Sequence, residues 1–281
     1  MTFSRRYLAG LAAQWLAEDV GGGDLTTEAL VHPRRRGKAE ILAREELVVC
    51  GLWIAREVFR ALDPDIRFHR RFADGRGIAA GDVLAVVSGR VRPILTAERT
   101  ALNVLQRLSG IATLTRRYVE RVAGTGAVIC ATRKTTPGLR ALEKYAVVCG
   151  GGSPHRAGLF DAALIKDNHV RAAGSVAEAV KRARRLMREG VPVQVEVENF
   201  EELEQALQLG AGMILLDNMT PAMVRKAVRL CTKRAVLEAS GGITLKNVRQ
   251  FAETGVDRIS VGALTHSARA ADISLDLAMK P

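Results

Sequence analysis

Aromatic residues make up only 4% of the 281-residue sequence, so no stacking platform for nucleic-acid bases is visible, and zinc-finger and RNP signatures are missing as well. The longest apolar runs, such as Ala211 to Leu216, fall far short of the about 20 residues a membrane-spanning helix requires. The four cysteines, Cys50, Cys130, Cys149 and Cys231, form no C-x-x-C pair, and five histidines without H-E-x-x-H give little support to a zinc site. A reduced, cytoplasmic protein is the simplest expectation. There is no G-x-S-x-G elbow, no G-x-x-x-x-G-K-[ST] loop and no G-x-G-x-x-G turn between a strand and a helix. Serine hydrolases, P-loop enzymes and dinucleotide-binding folds are therefore disfavoured. Near the start, Arg5 and Arg6 precede an apolar stretch, but Gln14, Glu18 and Asp19 interrupt it, which predicts an amphipathic helix rather than a leader.

What is abundant is positive charge. A formal net charge of +12 and a pI near 10.1 attract anionic partners over the whole surface. The runs Arg34 to Lys38 and Lys181 to Arg188 read mainly as solvated faces, with a nucleic-acid patch as the alternative. With 48% apolar residues the chain can bury one large core or two smaller ones.

Two rhythms divide the sequence. Up to about residue 112, short alternating segments predict strands over Gly37 to Arg44, Asp65 to Phe72 and Asp82 to Leu95, with helices over Leu52 to Leu62 and from near Thr96. The second helix stripes Ala101, Leu102, Leu105 and Leu108 on one face. From residue 113 onward, short apolar strands alternate with helical segments. The strands are Ala127 to Ala131, Asp161 to Lys166, Pro192 to Glu198, Ala211 to Asp217, Ala235 to Ser240 and Val256 to Val261. Helices are expected over Val176 to Arg188, Phe200 to Leu209, Pro221 to Cys231 and Leu245 to Thr254. Such β-α repetition predicts a parallel sheet, closed or open as a barrel, in residues 113 to 281, after an α/β domain in residues 1 to 112. A C-terminal helix is a candidate to pack back on the N-terminal domain.

Residues suited to chemistry fall where these strands end, as they do at the mouth of a barrel. Between Thr132 and His169 the chain carries Arg133, Lys134, Arg140, Lys144, His155, Arg156, Lys166 and His169 against only three acids, Glu143, Asp161 and Asp167. Arginine forks and lysine point charges together call for a strongly anionic ligand. His155, in a loop just before Arg156, reads as an anion donor rather than a general base. Glu196 and Asp217 end two later strands and suit Mg²⁺ with a diphosphate, or else salt bridges to nearby cations. Glu198 lies one alternation beyond Glu196 and competes with it for that role. The turns Ser240-Gly241-Gly242 and Val261-Gly262-Ala263 suit phosphate binding through bare backbone N–H groups, with ordinary turn glycines as the alternative.

At this point long segments become recognisable. TRKTTPGLRALEKYAVVCGGG followed by HRAGLFDAALIKDNH closely resembles the quinolinate phosphoribosyltransferases, also called nicotinate-nucleotide pyrophosphorylases. EDVGGGDLTTEAL, AERTALNVLQRLSGIAT, LLDNM, EASGGI and VGALTHSA extend the resemblance in order over nearly the whole chain. It implies an N-terminal α/β sandwich domain and an incomplete α/β barrel, with 5-phosphoribosyl 1-diphosphate as co-substrate and Mg²⁺ as cofactor. Quinolinate-binding residues then map onto Thr132, Arg133, Lys134, His155, Arg156 and Lys166, with Arg99 donated by a partner subunit of a homodimer or larger assembly. Glu196 and Asp217 match the diphosphate and metal acids, directly or through water. Ser240 to Gly242 and Val261 to Ala263 match the phosphate loops, with His266 nearby, and Lys134, Lys166, Glu196 and Asp217 are the expected catalytic set.

Pro154 and Val148 depart from the family pattern, where asparagine and a basic residue are frequent, without removing an expected ligand. A related group encoded beside molybdate transporters shares the fold and takes a less certain base, but the TTPGLR continuation looks more like the quinolinate enzymes. The implied reaction is decarboxylating phosphoribosyl transfer to quinolinate in NAD biosynthesis, with neither nucleic acid nor membrane as partner. The rival from another class is non-enzymatic RNA binding, which has no need of the strand-end acids.

Overall fold

The structure is a computed structural model that describes residues 3–186 and 190–278. The chain divides into two compact units. The first runs to Leu114 and takes back Val148–Gly150 and the chain from Ala268; the second holds Thr115–Val147 and Gly151–Ser267.

The first unit begins with α1 (Arg5–Val20), capped by Ser4, whose hydroxyl accepts from Tyr7 N at 3.2 Å. Asp24 then caps α2 (Leu25–Leu30) by accepting from Thr27 N at 2.9 Å. There follow β1 (Arg36–Ala43), β2 (Leu47–Val48), α3 (Leu52–Leu62), β3 (Arg67–Arg70), β4 (Gly77–Ile78), β5 (Val83–Arg90) and α4 (Val91–Arg121). A strand at Ile273–Ala278 heads a four-stranded antiparallel sheet, followed in order by β1, β5 and β3. Register puts Ala39 and Ile41 beside Val87 and Ala85 and beside Leu277 and Leu275. That face joins Leu52, Val58 and Phe59 of α3 and Leu102 and Leu105 of α4 in one core. A sheet face covered by helices is the sandwich expected.

Two expectations change here. Val91 to Leu95 are helical, not the end of a strand. Val91, Ile94 and Ala97 are buried at a helical spacing of three, and Pro93 lies in the first turn, where its missing N–H costs nothing. The C-terminal segment is a strand rather than a helix. Its alternation sends Ile273, Leu275 and Leu277 toward the core while Ser274 and Asp276 bond to Arg44 at 2.7 and 2.8 Å. α4 also passes close to this segment. A Cβ on Gly110 would lie 1.9 Å from the Arg269 carbonyl oxygen, so only glycine fits there.

The second unit holds β6 (Val128–Cys130), α5 (Arg140–Cys149) except its last two residues, β7 (Ala163–Ile165), α6 (Asp167–Ala173), α7 (Val176–Leu186), β8 (Val193–Val197) and α8 (Phe200–Gln208). Then come β9 (Met213–Asp217), α9 (Pro221–Cys231), β10 (Val236–Ser240), α10 (Val248–Ala252), β11 (Arg258–Ser260) and α11 (Ala263–His266). Residues 187–189, part of the expected helix and of the run ending at Arg188, lie outside the described residues. Thr220 and Pro221 start α9 at the predicted position because a threonine cap followed by proline suits a helix start.

The six strands are parallel in the order β6-β11-β10-β9-β8-β7. From β7 to β11 each crossover steps one strand in the same direction, so right-handed connections put the helices on one face. A sheet wound in this way curls into a barrel, and this one is incomplete because β6 and β7 are its two edges. A lone parallel bridge from Cys130 to Ser153 extends the β6 edge.

Candidate functional site

Because side chains alternate along a strand, the ladder register decides which residues share the barrel's inner face. Val195, Val197, Ile214, Leu216, Leu237, Ala239 and Ile259 are buried on the outer face, beneath the helices. Glu196 aligns with Leu215, Leu215 with Glu238, and Asp217 with Ser240. Glu196, Asp217, Glu238 and Ser240 therefore face inward near the carboxyl ends of three neighbouring strands. They line a cavity of about 1100 Å³.

The cations come from the segments around the gap. Thr132, Arg133 and Lys134 follow β6, Lys166 follows β7, and His155 and Arg156 lie between; all of them line the cavity. So do Ser240, Gly241 and Gly242 after β10, and Val261, Gly262, Ala263 and His266 after β11. Arg99 is an exposed residue of α4 in the first unit and is not among the cavity's residues. Glu198 is exposed beyond the end of β8, where its N–H donates to Glu202 at 2.8 Å, and it takes no part in the lining.

Charge in the cavity is unevenly answered. Lys166 Nζ donates to Glu196 Oε2 at 2.7 Å, the ion pair foreseen as the alternative for Glu196. Asp217 accepts instead from Asn218 Nδ2 at 2.7 Å. Burial, and then the nearby Arg133 guanidinium, push the Arg156 side chain below the usual arginine range. Arg133 Nε is buried with no hydrogen-bond partner. Two crowded guanidiniums, one with an unanswered donor, suit an anion. Glu196 and Asp217, on β8 and β9, offer the hard oxygen donors that suit Mg²⁺ once water and phosphate oxygens complete the shell. Gly241 makes its turn possible: φ is +93°, and a Cβ there would lie 2.1 Å from Asn218 Oδ1.

Two family models cover most of the chain. The N-terminal domain of quinolinate phosphoribosyl transferase matches residues 24–109, and its C-terminal domain matches residues 111–276. The chain belongs to the quinolinate phosphoribosyltransferase family. A Bacillus subtilis (strain 168) relative, a probable nicotinate-nucleotide pyrophosphorylase (carboxylating), is 44% identical over 272 residues, covering 97% of this chain and 94% of its own. The nicotinate-nucleotide pyrophosphorylase (carboxylating) of Mycobacterium leprae (strain TN) is 46% identical over 270 residues, covering 93% and 94%. The solved nicotinate-nucleotide pyrophosphorylase of Francisella tularensis superposes with a TM-score of 0.95 at 40% identity, over 99% of this chain and 98% of its own.

In this quinolinate phosphoribosyltransferase-family site, sequence reasoning missed Glu238. Its carboxylate is 1% exposed and accepts from Gln194 Nε2 at 3.2 Å and from the Ser260 hydroxyl. His155 Nε2 lies 3.3 Å from Oε2, the oxygen that also accepts from Gln194. Burial pushes this carboxyl up, but the bonds from His155, Ser260 and Gln194 outweigh burial and hold it below the usual range. An acid in the otherwise apolar strand VLEAS, two residues before Ser240 and so on the same face, was the available signal.

Glu238 also bears on the placement of His155. His155 Nδ1 accepts the Arg156 N–H at 2.7 Å, which puts the ring proton on Nε2, facing Glu238. Both nitrogens of His155 therefore have protein partners, and with a left-handed φ of 52° it shapes the turn that presents Arg156 while lining the cavity. Lys144, 1% exposed on α5, donates to the Pro154 carbonyl and supports the same turn. The contact is to the Pro154 carbonyl, which proline retains.

Proposed function

We propose that this chain transfers the phosphoribosyl group of 5-phosphoribosyl 1-diphosphate to quinolinate, giving nicotinate mononucleotide, diphosphate and CO₂ in NAD biosynthesis. The observation that carries the reading is the two-sided cavity, in which Arg133, Lys134, Arg156 and Lys166 meet Glu196, Asp217 and two glycine-bearing turns at one barrel mouth. The names of the relatives agree with it.

Arg133 and Arg156 take the dicarboxylate, whose charge relieves their mutual repulsion. Lys134 and Lys166 add point charges beside it. The turns at Ser240 to Gly242 and Val261 to Ala263, with His266, bind phosphate. The quinolinate ring nitrogen attacks ribose C1 while the bond to diphosphate breaks, and the diphosphate departs with the electron pair. Glu196 and Asp217 stabilise the positive charge that develops on the ribose. Glu196 and Asp217 would hold Mg²⁺, directly or through water, and the ion would supply neutralisation of the leaving diphosphate. The ring is then a pyridinium. Its 2-carboxylate leaves as CO₂, and the electron pair left on C2, next to the positive nitrogen, takes a proton from solvent or from Lys134 or Lys166.

The active assembly in this reading is a cytoplasmic homodimer in which Arg99 of one subunit completes the other's site. The exposure of Arg99 supports this, as do Leu159 and Phe160, 75% and 84% exposed in the segment that contributes Leu159 to the cavity. The test is diphosphate release from 5-phosphoribosyl 1-diphosphate and Mg²⁺ with quinolinate, nicotinate and other anionic aromatic bases offered separately. Quinolinate is expected to be preferred, and efficient turnover of another base with none of quinolinate would overturn the reading.

A further inference from the structure

The first unit holds a cluster that the chemistry above does not use: Cys50, Asp74 and Cys149. One sulfur from each cysteine and one oxygen from the acid lie within 4.8 Å of one another. They come from three separate stretches, the turn between β2 and α3, the turn before β4, and the last residue of α5. Each stretch is held in place by its surroundings. Cys50 N donates to Ser109 Oγ at 3.0 Å, and that hydroxyl donates back to the Cys50 carbonyl at 3.3 Å. The Asp74 carboxylate accepts from Gly51 N at 2.9 Å and from Leu52 N at 3.3 Å. Gly75, with φ at +86°, lets the chain run against Cys149, where a Cβ would lie 3.1 Å from the Cys149 carbonyl oxygen.

We propose that Cys50, Asp74 and Cys149 form a structural site for one thiophilic divalent cation, of which Zn²⁺ is the type, with water as the fourth ligand. Two sulfurs and one carboxylate select such an ion over Mg²⁺. Tetrahedral zinc, with sulfur at about 2.3 Å and oxygen at about 2.0 Å, separates its ligand atoms by roughly 3.5 to 3.8 Å, which the cluster already allows. The two N–H groups on Asp74 leave further lone pairs on its oxygens and orient it as outer-shell partners orient metal-bound carboxylates. Cys149 is half-buried and gives the ion a way in, whereas Cys50 is wholly buried. On binding, each thiol exchanges its proton for the metal and the protons pass to solvent.

The test uses the full chain, stripped of metal, kept reduced and titrated with Co²⁺. One equivalent should bind with a thiolate-to-cobalt charge-transfer band and tetrahedral ligand-field bands, and Zn²⁺ should displace it. The bands should vanish in Cys149→Ser and persist in Cys231→Ser. Cys149→Ser is the primary variant because the buried Cys50→Ser could unfold, and circular dichroism checks both. Zn²⁺ should raise the thermal midpoint of the wild type and leave that of Cys149→Ser unchanged. Absence of the bands in folded, reduced wild type, or their persistence in Cys149→Ser, would overturn the proposal. So would a Cys50–Cys149 disulfide in place of Co²⁺ uptake. Phosphoribosyl transfer by Cys149→Ser is expected to stay at the wild-type level, which separates this test from that of the active site.

Discussion

Glu196, Asp217 and Ser240 stand on three consecutive strands whose register fixes them, whereas Arg133, His155 and Arg156 stand on the connection between β6 and β7, where the ladder is interrupted. The acid side of the cavity is positioned by backbone pairing, with Lys166 Nζ bonded to Glu196 and Asn218 Nδ2 to Asp217. The cation side needs props: Glu238 under His155, Lys144 under Pro154, and Glu143, which is buried and accepts from Thr136 N at 3.0 Å and Thr136 Oγ1 at 2.9 Å. Opening a barrel at one place thus frees a long segment to carry cations, at the cost of buried charged residues that keep it in shape.

This contrast can be broken from either side. The largest effect is expected from Asp217→Asn, which keeps the strand but removes the charge that the proposed reaction sets beside the ribose and diphosphate. Its kcat should fall by about 10² to 10³ with little change in stability, read by steady-state kinetics and thermal melts. A comparable loss of stability would mean the acid is structural. Arg133→Ala follows, with kcat/KM for quinolinate down by roughly 10- to 150-fold, the equivalent of losing a charged hydrogen bond of about 1.5 to 3 kcal/mol. Near wild-type efficiency would remove Arg133 from the receptor.

Glu238→Gln should be milder and selective, raising KM for quinolinate several-fold and leaving KM for 5-phosphoribosyl 1-diphosphate unchanged. Equal changes in both would erase the distinction between the two sides. The same variant has a pH signature. The folded carboxyl lies below its ordinary 4.5, so the stability it lends is complete above that pH and is lost as pH falls through the lower folded value. Glu238→Gln should lack this part of the acid limb. The smallest effect is expected for Lys144→Met. Burial, then Arg140, bring the Lys144 ammonium from 10.5 down to about 8. Between those two values the unfolded chain binds the extra proton, so wild-type stability gains a rising contribution with pH there, and Lys144→Met should lose it in denaturant titrations.

The strand ends were legible because apolar runs such as ILLD stop on a polar residue, and the same pattern brought Glu196, Asp217 and Ser240 to one face. α5 was not foreseen. Its buried face carries Glu143 and Lys144 among Leu142, Ala146 and Val147, so the apolar period is broken by the residues that prop the cation side. Val91 to Leu95 misled because β5 passes into α4 without a loop and its apolar residues fit either period over so short a stretch. VLEAS marks Glu238 as an acid in an apolar strand, but its bond from Gln194 and its contact with His155 join residues more than 40 apart in sequence, which no local pattern reveals.

The most direct measurement is release of labelled CO₂ from quinolinate carrying the label in its 2-carboxylate, with and without 5-phosphoribosyl 1-diphosphate. If both sides of the cavity serve one reaction, label should appear only when 5-phosphoribosyl 1-diphosphate is present and in proportion to the nicotinate mononucleotide formed. Label released from quinolinate alone, or a mononucleotide that keeps both carboxylates, would contradict it.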